Sequence, residues 1–210
     1  AIRMQENEEG FLFPYIDEKK CVNCGMCARK CPVNATFERN EASFYMGWHK
    51  DKEILMSSSS GGAFTAIAEY VLEKDGAVFG ASKDRVTKEI THKMVQTSND
   101  LSLLRGSKYY QSDVKDAYKQ VKERLHEGQY ILFSGTSCQV AALYSYLGES
   151  NTDRLITVDV LCHGVTSKRV IEEYLSSQKK QYGKEIIDFS FRTKEGNLGW
   201  QKGYGTRMHL

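Results

Sequence analysis

Twelve residues constrain this 210-residue chain more than any others: Cys21-Val-Asn-Cys24-Gly-Met-Cys27-Ala-Arg-Lys-Cys31-Pro32. The spacing is C-x2-C-x2-C-x3-C-P, a run whose thiolates ligate iron–sulfur clusters. Three thiolates at intervals of two residues can wrap one corner of an iron–sulfur cube, and Gly25 lets the backbone pass close to the inorganic sulfides. Cys31 is expected to start a short helical turn and to point the other way, toward a second cluster, with Pro32 ending the turn. A structural zinc knuckle or a pair of disulfides is the competing reading. Zinc sites space two C-x2-C pairs well apart, and disulfides between such close neighbours are geometrically difficult. Spacing and trailing proline together favour iron–sulfur.

In a two-cluster arrangement, Cys21, Cys24 and Cys27 take their fourth ligand from an upstream copy of the motif, where Cys31 in turn finds three partners. No copy precedes Cys21, and the sequence opens on Ala1 without a methionine. The expectation is a piece of a longer protein, its first motif upstream. One cluster completed by Cys31 or by a remote cysteine is the alternative.

The 29 basic and 27 acidic residues leave a net charge of +2. No basic face dominates, which argues against nucleic acid or a membrane surface as partner. No apolar run reaches the roughly 18 residues of a membrane span, and no signal peptide is visible. Six cysteines in ligand-like spacing suit a reducing cytoplasm. The length allows one or two domains with a real core.

Along the chain, Gly10–Ile16 reads as an aromatic strand, either a lid over the cysteine loop or a plain edge strand. Ser43–Trp48 reads as another strand, followed by His49, a surface or hydrogen-bonded histidine. Ser57-Ser-Ser-Ser-Gly-Gly-Ala-Phe-Thr65 opens a helix to about Lys74. Its hydroxyls and glycines at a helix start suit a phosphate cradle, against a serine cap after a flexible loop. Gly76–Ala81 reads as a buried strand with Ile90–Val95 as its hairpin neighbour, and Asn99–Leu104 as a short helix. Arg105-Gly-Ser-Lys-Tyr-Tyr-Gln-Ser112 is either a clamp for a second phosphate or ring carbonyl, with Tyr109 or Tyr110 stacking on a flat ring, or a basic surface loop. A scaffold helix is expected over Asp113–Glu127, capped by Ser112.

Tyr130–Phe133, a helix to Leu147 and Leu155–Leu161 then form a right-handed parallel crossover. Cys138 and Cys162 fall just past the carboxyl ends of its two strands, where open α/β sheets bind ligands. They are half of a cluster site or inert buried cysteines. Ser167 caps a helix to Tyr182, Ile186–Arg192 is a strand, Thr193–Lys202 a Gly-rich turn with Trp200, and Tyr204–Leu210 a last strand that stops mid-pattern.

Five stretches together, EEGFLFPYIDEKKCVNCGMCARKCP, SSSSGGAFTAIAEYVLEKDGAVFGA, RGSKYYQS, ILFSGTSCQVAAL and DVLCHG, resemble the coenzyme F-420 hydrogenase/dehydrogenase beta-subunit family. The likeness is to bacterial members with an N-terminal 4Fe-4S ferredoxin part. It implies an α/β fold (α+β overall), with a small ferredoxin-like part over residues 1–40 and an FAD-binding α/β domain with a mixed, partly parallel sheet over 41–210, cut short at its C-terminus. It also implies an iron–sulfur flavoprotein. Ser58, Ser59, Ser60, Gly61 and Gly62 would contact the FAD phosphates, with Arg105, Gly106, Ser107, Lys108, Tyr109, Ser112, Ser134, Gly135 and Thr136 lining the flavin site. Cys21, Cys24, Cys27 and Cys31 would hold 4Fe-4S iron. Cys138 and Cys162 would ligate a further 4Fe-4S cluster with a later C-x2-C pair beyond Leu210. Ser137 stands where the family usually has proline. The implied activity is an oxidoreductase passing electrons between clusters and a hydride carrier, coenzyme F-420 or another deazaflavin, through FAD. Its partner is a redox protein or ferredoxin, with no catalytic acid or base required and His163 a weak candidate for polarising the flavin. A non-catalytic electron-relay or docking subunit, and a cofactor-free structural fragment, are the other hypotheses.

Overall fold

The computed structural model of the chain describes residues 1–34, 41–194 and 205–209. Strands β3 (Ala77–Lys83) and β4 (Ile90–Val95) form an antiparallel hairpin. β5 (Ile131–Thr136) runs parallel to β3, and β6 (Leu155–Val160) parallel to β5. The sheet order is β4-β3-β5-β6. Parallel neighbours need crossovers. Helix α4 (Ala117–His126) and helix α5 (Ser137–Leu147) supply them on one face, and α3 (Ala63–Leu72) covers the other.

The two-residue period of the strands explains the layering. Ala77, Phe79, Ile131 and Phe133 face Ala117 and Val121 of α4 and Val140, Leu143 and Leu147 of α5. Their alternates Val78 and Leu132 face Ala68 and Val71 of α3, with Val95, Leu101 and Leu104. Strands covered on both faces read as unbroken apolar runs, as Ala77-Val-Phe79 and Ile131-Leu-Phe133 do. A satellite core joins Ile90, Tyr110, Ile171 of α6 (Lys168–Tyr182) and Phe189 of β7 (Asp188–Thr193). β7 pairs antiparallel with β8 (Gly205–His209).

The amino-terminal part is a hairpin of β1 (Ile2–Glu6) and β2 (Leu12–Ile16), then the cysteine loop and short α1 (Met26–Lys30). It docks at two points. Lys30 Nζ donates to the Ser145 carbonyl of α5 and Ser145 Oγ to the Lys30 carbonyl, at 2.9 and 3.0 Å. Arg169 of α6 donates to the Glu8 carbonyl at 2.9 Å. Among the described residues no helix is long and apolar enough to cross a membrane.

The fold class, the mixed sheet and the β5-α5-β6 crossover follow the sequence reading; several local expectations do not. Ser43–Trp48 forms no strand, and its large side chains lie in solvent. β2 pairs with β1 and is exposed along its whole length, so it shields nothing. Cys31 closes α1 in an extended conformation, and Pro32 opens a 3-10 turn (Pro32–Asn34) instead of ending one. Helix α4 starts at Ala117, because residue 113 is taken by the sheet edge: Asp113 N–H donates to the Ile90 carbonyl and His92 N–H to the Asp113 carbonyl, both at 2.9 Å. Ser112 is therefore no cap. Ser167 precedes α6 without a capping bond, and its hydroxyl is buried with no partner. A short helix not anticipated, α2 (Lys52–Ser57), is capped by the Asp51 carboxylate, which accepts from Glu53 and Ile54 N–H. Of the turn expected over Thr193–Lys202, Thr193 ends β7 and Lys194 follows it, while residues 195–202, Trp200 among them, lie outside the described residues.

Candidate functional site: a cysteine loop and the carboxyl edge of the sheet

The cysteine loop is shaped by two left-handed residues around Cys24, Asn23 at φ 53° and Gly25 at φ 68°. Asparagine tolerates that region and glycine adopts it freely. Arg29 Nη1 donates to the Cys24 carbonyl at 2.9 Å and holds the curl against α1. All six cysteines are free thiols: Cys24, Cys27, Cys138 and Cys162 are exposed, Cys21 and Cys31 partly so. Among the described residues no three Cys, His, Asp or Glu side chains close on one point as a single ion needs. A cubane asks for something looser, since each thiolate reaches a different iron. Cys21 and Cys24 on the curled loop, Cys27 in α1 and Cys31 at its end are soft sulfur donors of the kind such a cluster takes.

Cys138 and Cys162 sit at matched positions. Thr136 and Val160 are register partners at the ends of β5 and β6, and each cysteine follows two residues later. Cys138 lies in the first turn of α5, whose cap Thr136 makes a reciprocal box with Gln139. Thr136 Oγ1 lies 3.1 Å from Cys138 Sγ, and Ser137 Oγ donates to Asp159 at 2.8 Å, tying the two strand tips together. His163 is exposed beside Cys162.

The serine loop and the basic loop, far apart in sequence, meet. Ser107 N–H donates to Ser59 Oγ at 2.7 Å, and Arg105 Nε to Thr65 Oγ1 in the first turn of α3 at 3.1 Å. Ser58 Oγ donates back to the Ile54 carbonyl of α2 at 2.6 Å. Gly62, at φ +82°, starts α3 without a side-chain cap, which leaves its first N–H groups open. Gly61 is required by closeness: a Cβ there would lie 2.6 Å from the Gly47 carbonyl oxygen. His49 N–H donates to the Gly61 carbonyl at 2.7 Å, so residues 47–49 strap the loop. The His49 ring is hydrogen-bonded, as expected, to Glu69 at 3.2 Å.

Between the loops and β7 lies a cleft of about 250 Å³ lined by Ser58, Arg105, Ser107, Lys108, Lys83 and Phe191, among others. Gly106, at φ +84°, has open space where its side chain would be. The lining fits an anion next to a flat apolar group. The volume falls below the roughly 300 Å³ at which sites for drug-sized ligands begin, so the cleft has room for a small anion or for one portion of a larger ligand. Tyr109 is exposed, edge-on to Phe191 at 5.4 Å. Tyr110, the alternative stacking ring, belongs to the core: it is 4% exposed, donates to the Lys88 carbonyl, and burial pushes its hydroxyl up to about 12. Ser134, Gly135 and Thr136 do not line this cleft among the described residues; they lie one strand away on β5.

Four side chains matter that the sequence did not single out: Lys83, Lys194, His92 and Gln139. Lys83 pairs with Asp188 at 2.5 Å. Burial works against the Asp188 carboxylate, yet the bond from Lys83 keeps it below its ordinary value. Lys83 also acts on Lys108, which the sequence places at the site without revealing its state. Burial, and then the charge of Lys83, bring the Lys108 ammonium down to about 7, while its Nζ donates to the Leu104 and Arg105 carbonyls. Lys194, 2% exposed, donates to the Leu55 and Ser60 carbonyls at 2.5 and 2.6 Å and clamps the serine loop from β7's end. His92 of β4 stacks on Phe133 at 5.1 Å. Gln139 reaches from α5 to Ser112, its Nε2 donating to Ser112 Oγ at 2.9 Å. Only Gly76-Ala-Val-Phe and the hairpin pattern hinted that His92 would point inward, by alternation with Ile90 and Met94.

Residues 44–119 match the family described as coenzyme F420 hydrogenase/dehydrogenase, beta subunit N-term, and residues 128–207 match the C terminus of the same beta subunit. Residues 14–36 match the 4Fe-4S binding domain. No curated protein matches. Among solved structures, a chain of the F420-reducing NiFe hydrogenase complex from Methanosarcina barkeri is similar with a TM-score of 0.54 and 21% identity, over 76% of this chain. The match spans 57% of that chain's length. At this identity the likeness speaks for the fold alone. The two matched halves carry the assignment, and the cysteine run falls inside the third match: this chain belongs to the coenzyme F420 hydrogenase/dehydrogenase beta-subunit family and carries a 4Fe-4S motif.

Proposed function

We infer that the protein is an iron–sulfur flavoprotein that passes electrons between 4Fe-4S clusters and a hydride carrier of the deazaflavin type, with FAD at the carboxyl edge of the sheet. One observation carries this: the Ser57–Gly62 loop and the Arg105–Lys108 loop are joined by Ser107 to Ser59 at 2.7 Å, on the same sheet edge as the two strand-tip cysteines. Residues 1–40 act as the ferredoxin-like part and residues 41–210 as the flavin-binding part. FAD, when bound, supplies the change from a two-electron hydride to single electrons.

The chain's own residues bind and orient. Ser58, Ser59 and Ser60 with Gly61 and Gly62 present hydroxyls and the open N–H groups of α3 to phosphate oxygens. Arg105 and Lys108 bring positive charge to the same anion, and Gly106 and Ser107 let the backbone approach. Tyr109 offers an apolar face to a ring. Ser112, Ser134, Gly135 and Thr136 shape the edge between flavin and cysteines. Cys21, Cys24 and Cys27 hold one cluster's iron, Cys31 ligates a neighbouring cluster or completes the same one, and Cys138 with Cys162 contribute to another. The complete protein works with a redox partner such as ferredoxin, in a reducing cytoplasm where free thiols persist.

A relay or docking subunit without its own substrate is the second reading. The exposed run Phe44, Tyr45 and Met46, each 93% accessible, favours it, since solvent-facing aromatics of this kind mark contact surfaces. The test is a Cys24→Ser variant of the anaerobically prepared protein. The iron and absorbance owed to this loop's cluster should be lost while bound flavin and the share held with Cys138 and Cys162 remain; iron and absorbance unchanged from the unaltered protein refute the ligand assignment. Oxidation of reduced deazaflavin by the unaltered protein supports the enzyme over the relay, and transfer to protein acceptors alone supports the relay.

A further inference from the structure

A chain of hydrogen bonds links the basic loop to the turn that carries Cys138. His92 Nε2 lies 3.1 Å from the Ser134 carbonyl, which only accepts, so Nε2 carries the proton. Its Nδ1 is then the acceptor, and Ser112 Oγ, 3.1 Å away, donates to it. With its proton so committed, Ser112 Oγ accepts from Gln139 Nε2 at 2.9 Å. Gln139 Oε1 in turn accepts from Thr136 N–H at 3.0 Å, in the turn that ends at Cys138. The direction of the series is fixed from end to end, and Gln139 Nε2 has a second hydrogen to spare. Gly135 makes room for it: a Cβ there would stand 3.0 Å from Gln139 Oε1. Tyr118 of α4 adds a bond from its hydroxyl to the Gln139 carbonyl at 2.9 Å.

A helix cap alone needs only the Thr136–Gln139 box. The box here spends its spare amide hydrogens on Ser112, at the carboxyl end of the Arg105–Ser112 loop, and on the Ser112 carbonyl at 3.3 Å. Ser112 is held from its other side by His92, whose ring is pinned flat on Phe133. We propose that Gln139 is a positioning residue which, through Ser112 and His92, couples the basic loop to the first turn of α5 and so fixes Cys138 relative to that loop. Occupancy of the cleft by FAD is transmitted to the Cys138 thiol by this route; that part rests on the function proposed above, whereas the coupling itself does not.

The test uses the full chain stripped of iron by a chelator, with iodoacetamide as probe and each cysteine's alkylation rate read by peptide mass spectrometry. Gln139→Ala and, independently, Ser112→Ala should each speed Cys138 by about fivefold, the value of one hydrogen bond. Cys162, on the neighbouring strand tip, should stay within about twofold in the same samples. Ser112→Ala leaves the capping box intact, so a Cys138 rate unchanged in that variant overturns the proposal, as does a joint rise of Cys138 and Cys162. Adding FAD should then slow Cys138 in the unaltered chain and not in Ser112→Ala. If the unaltered chain binds no FAD, the flavin reading falls while the iron-free rates still decide the coupling.

Discussion

Two buried basic groups make predictions of opposite kinds. Lys108 sits in the cationic cleft with its ammonium lowered to about 7, first by burial and then by Lys83. A bound anion favours the charged form, so affinity should be greatest below pH 7 and fall as Lys108 loses its proton. With the free group at about 7, the dissociation constant for FAD should rise about tenfold between pH 6 and pH 8, read by flavin fluorescence. Lys108→Met should flatten the curve; an unaltered slope would mean the phosphates lie elsewhere. His92 concerns stability. Burial lowers its pKa, and the Ser134 carbonyl only partly opposes that. The unfolded chain, with an ordinary histidine near 6.5, therefore binds the extra proton. The contribution is fully present above that pH and is lost as pH falls through the lower folded value. Thermal melting should show the midpoint dropping on acidification from pH 7.5 to 5.5, and His92→Gln should remove part of that drop. Equal slopes in both proteins would contradict the assignment.

Elements decide how the cleft is built. Residues 47–49 cross the serine loop so closely that Gly61 cannot carry a side chain without moving the Gly47 carbonyl. Gly61→Ala should cost about 1–3 kcal/mol in denaturant unfolding, the usual penalty of overpacking, and should weaken FAD binding because the loop itself shifts. A loss of stability with unchanged affinity would separate the strap from the site. The same region shows what a sequence reveals about elements. The serines and glycines before α3 are readable because a helix start and small residues are local signals. Ser112 misleads for the converse reason. Ser-x-x-x before an amphipathic run predicts a cap, but the edge of β4 captures Asp113 and the hydroxyl goes to His92 and Gln139. Ser43–Trp48 has strand composition and, among the described residues, pairs with no strand. Lys194 reaches the serine loop across 134 positions, a contact no local pattern announces.

At the scale of the molecule, both the cysteine spacing and the parallel crossover are legible in the sequence. The first is a covalent pattern, and the second follows from apolar runs buried on both faces. What sequence alone leaves open is assembly: whether the serine loop, the basic loop and the strand-tip cysteines share one edge. They do, with the first two in direct contact and the third connected through Gln139. The amino-terminal part also joins this body, since α1 and α5 exchange two bonds between Lys30 and Ser145. Helix α5 thus touches the cysteine loop near one end and carries Cys138 at the other. The central claim is that these thiols hold iron beside a flavin. Its most direct test is an anaerobic ultraviolet–visible spectrum of the natural full-length protein, with iron, sulfide and flavin assayed on the same sample. The account predicts a flavin spectrum over a broad sulfur-to-iron absorption that bleaches on reduction, with iron and acid-labile sulfide in equal amounts. Colourless protein lacking iron and flavin would contradict it.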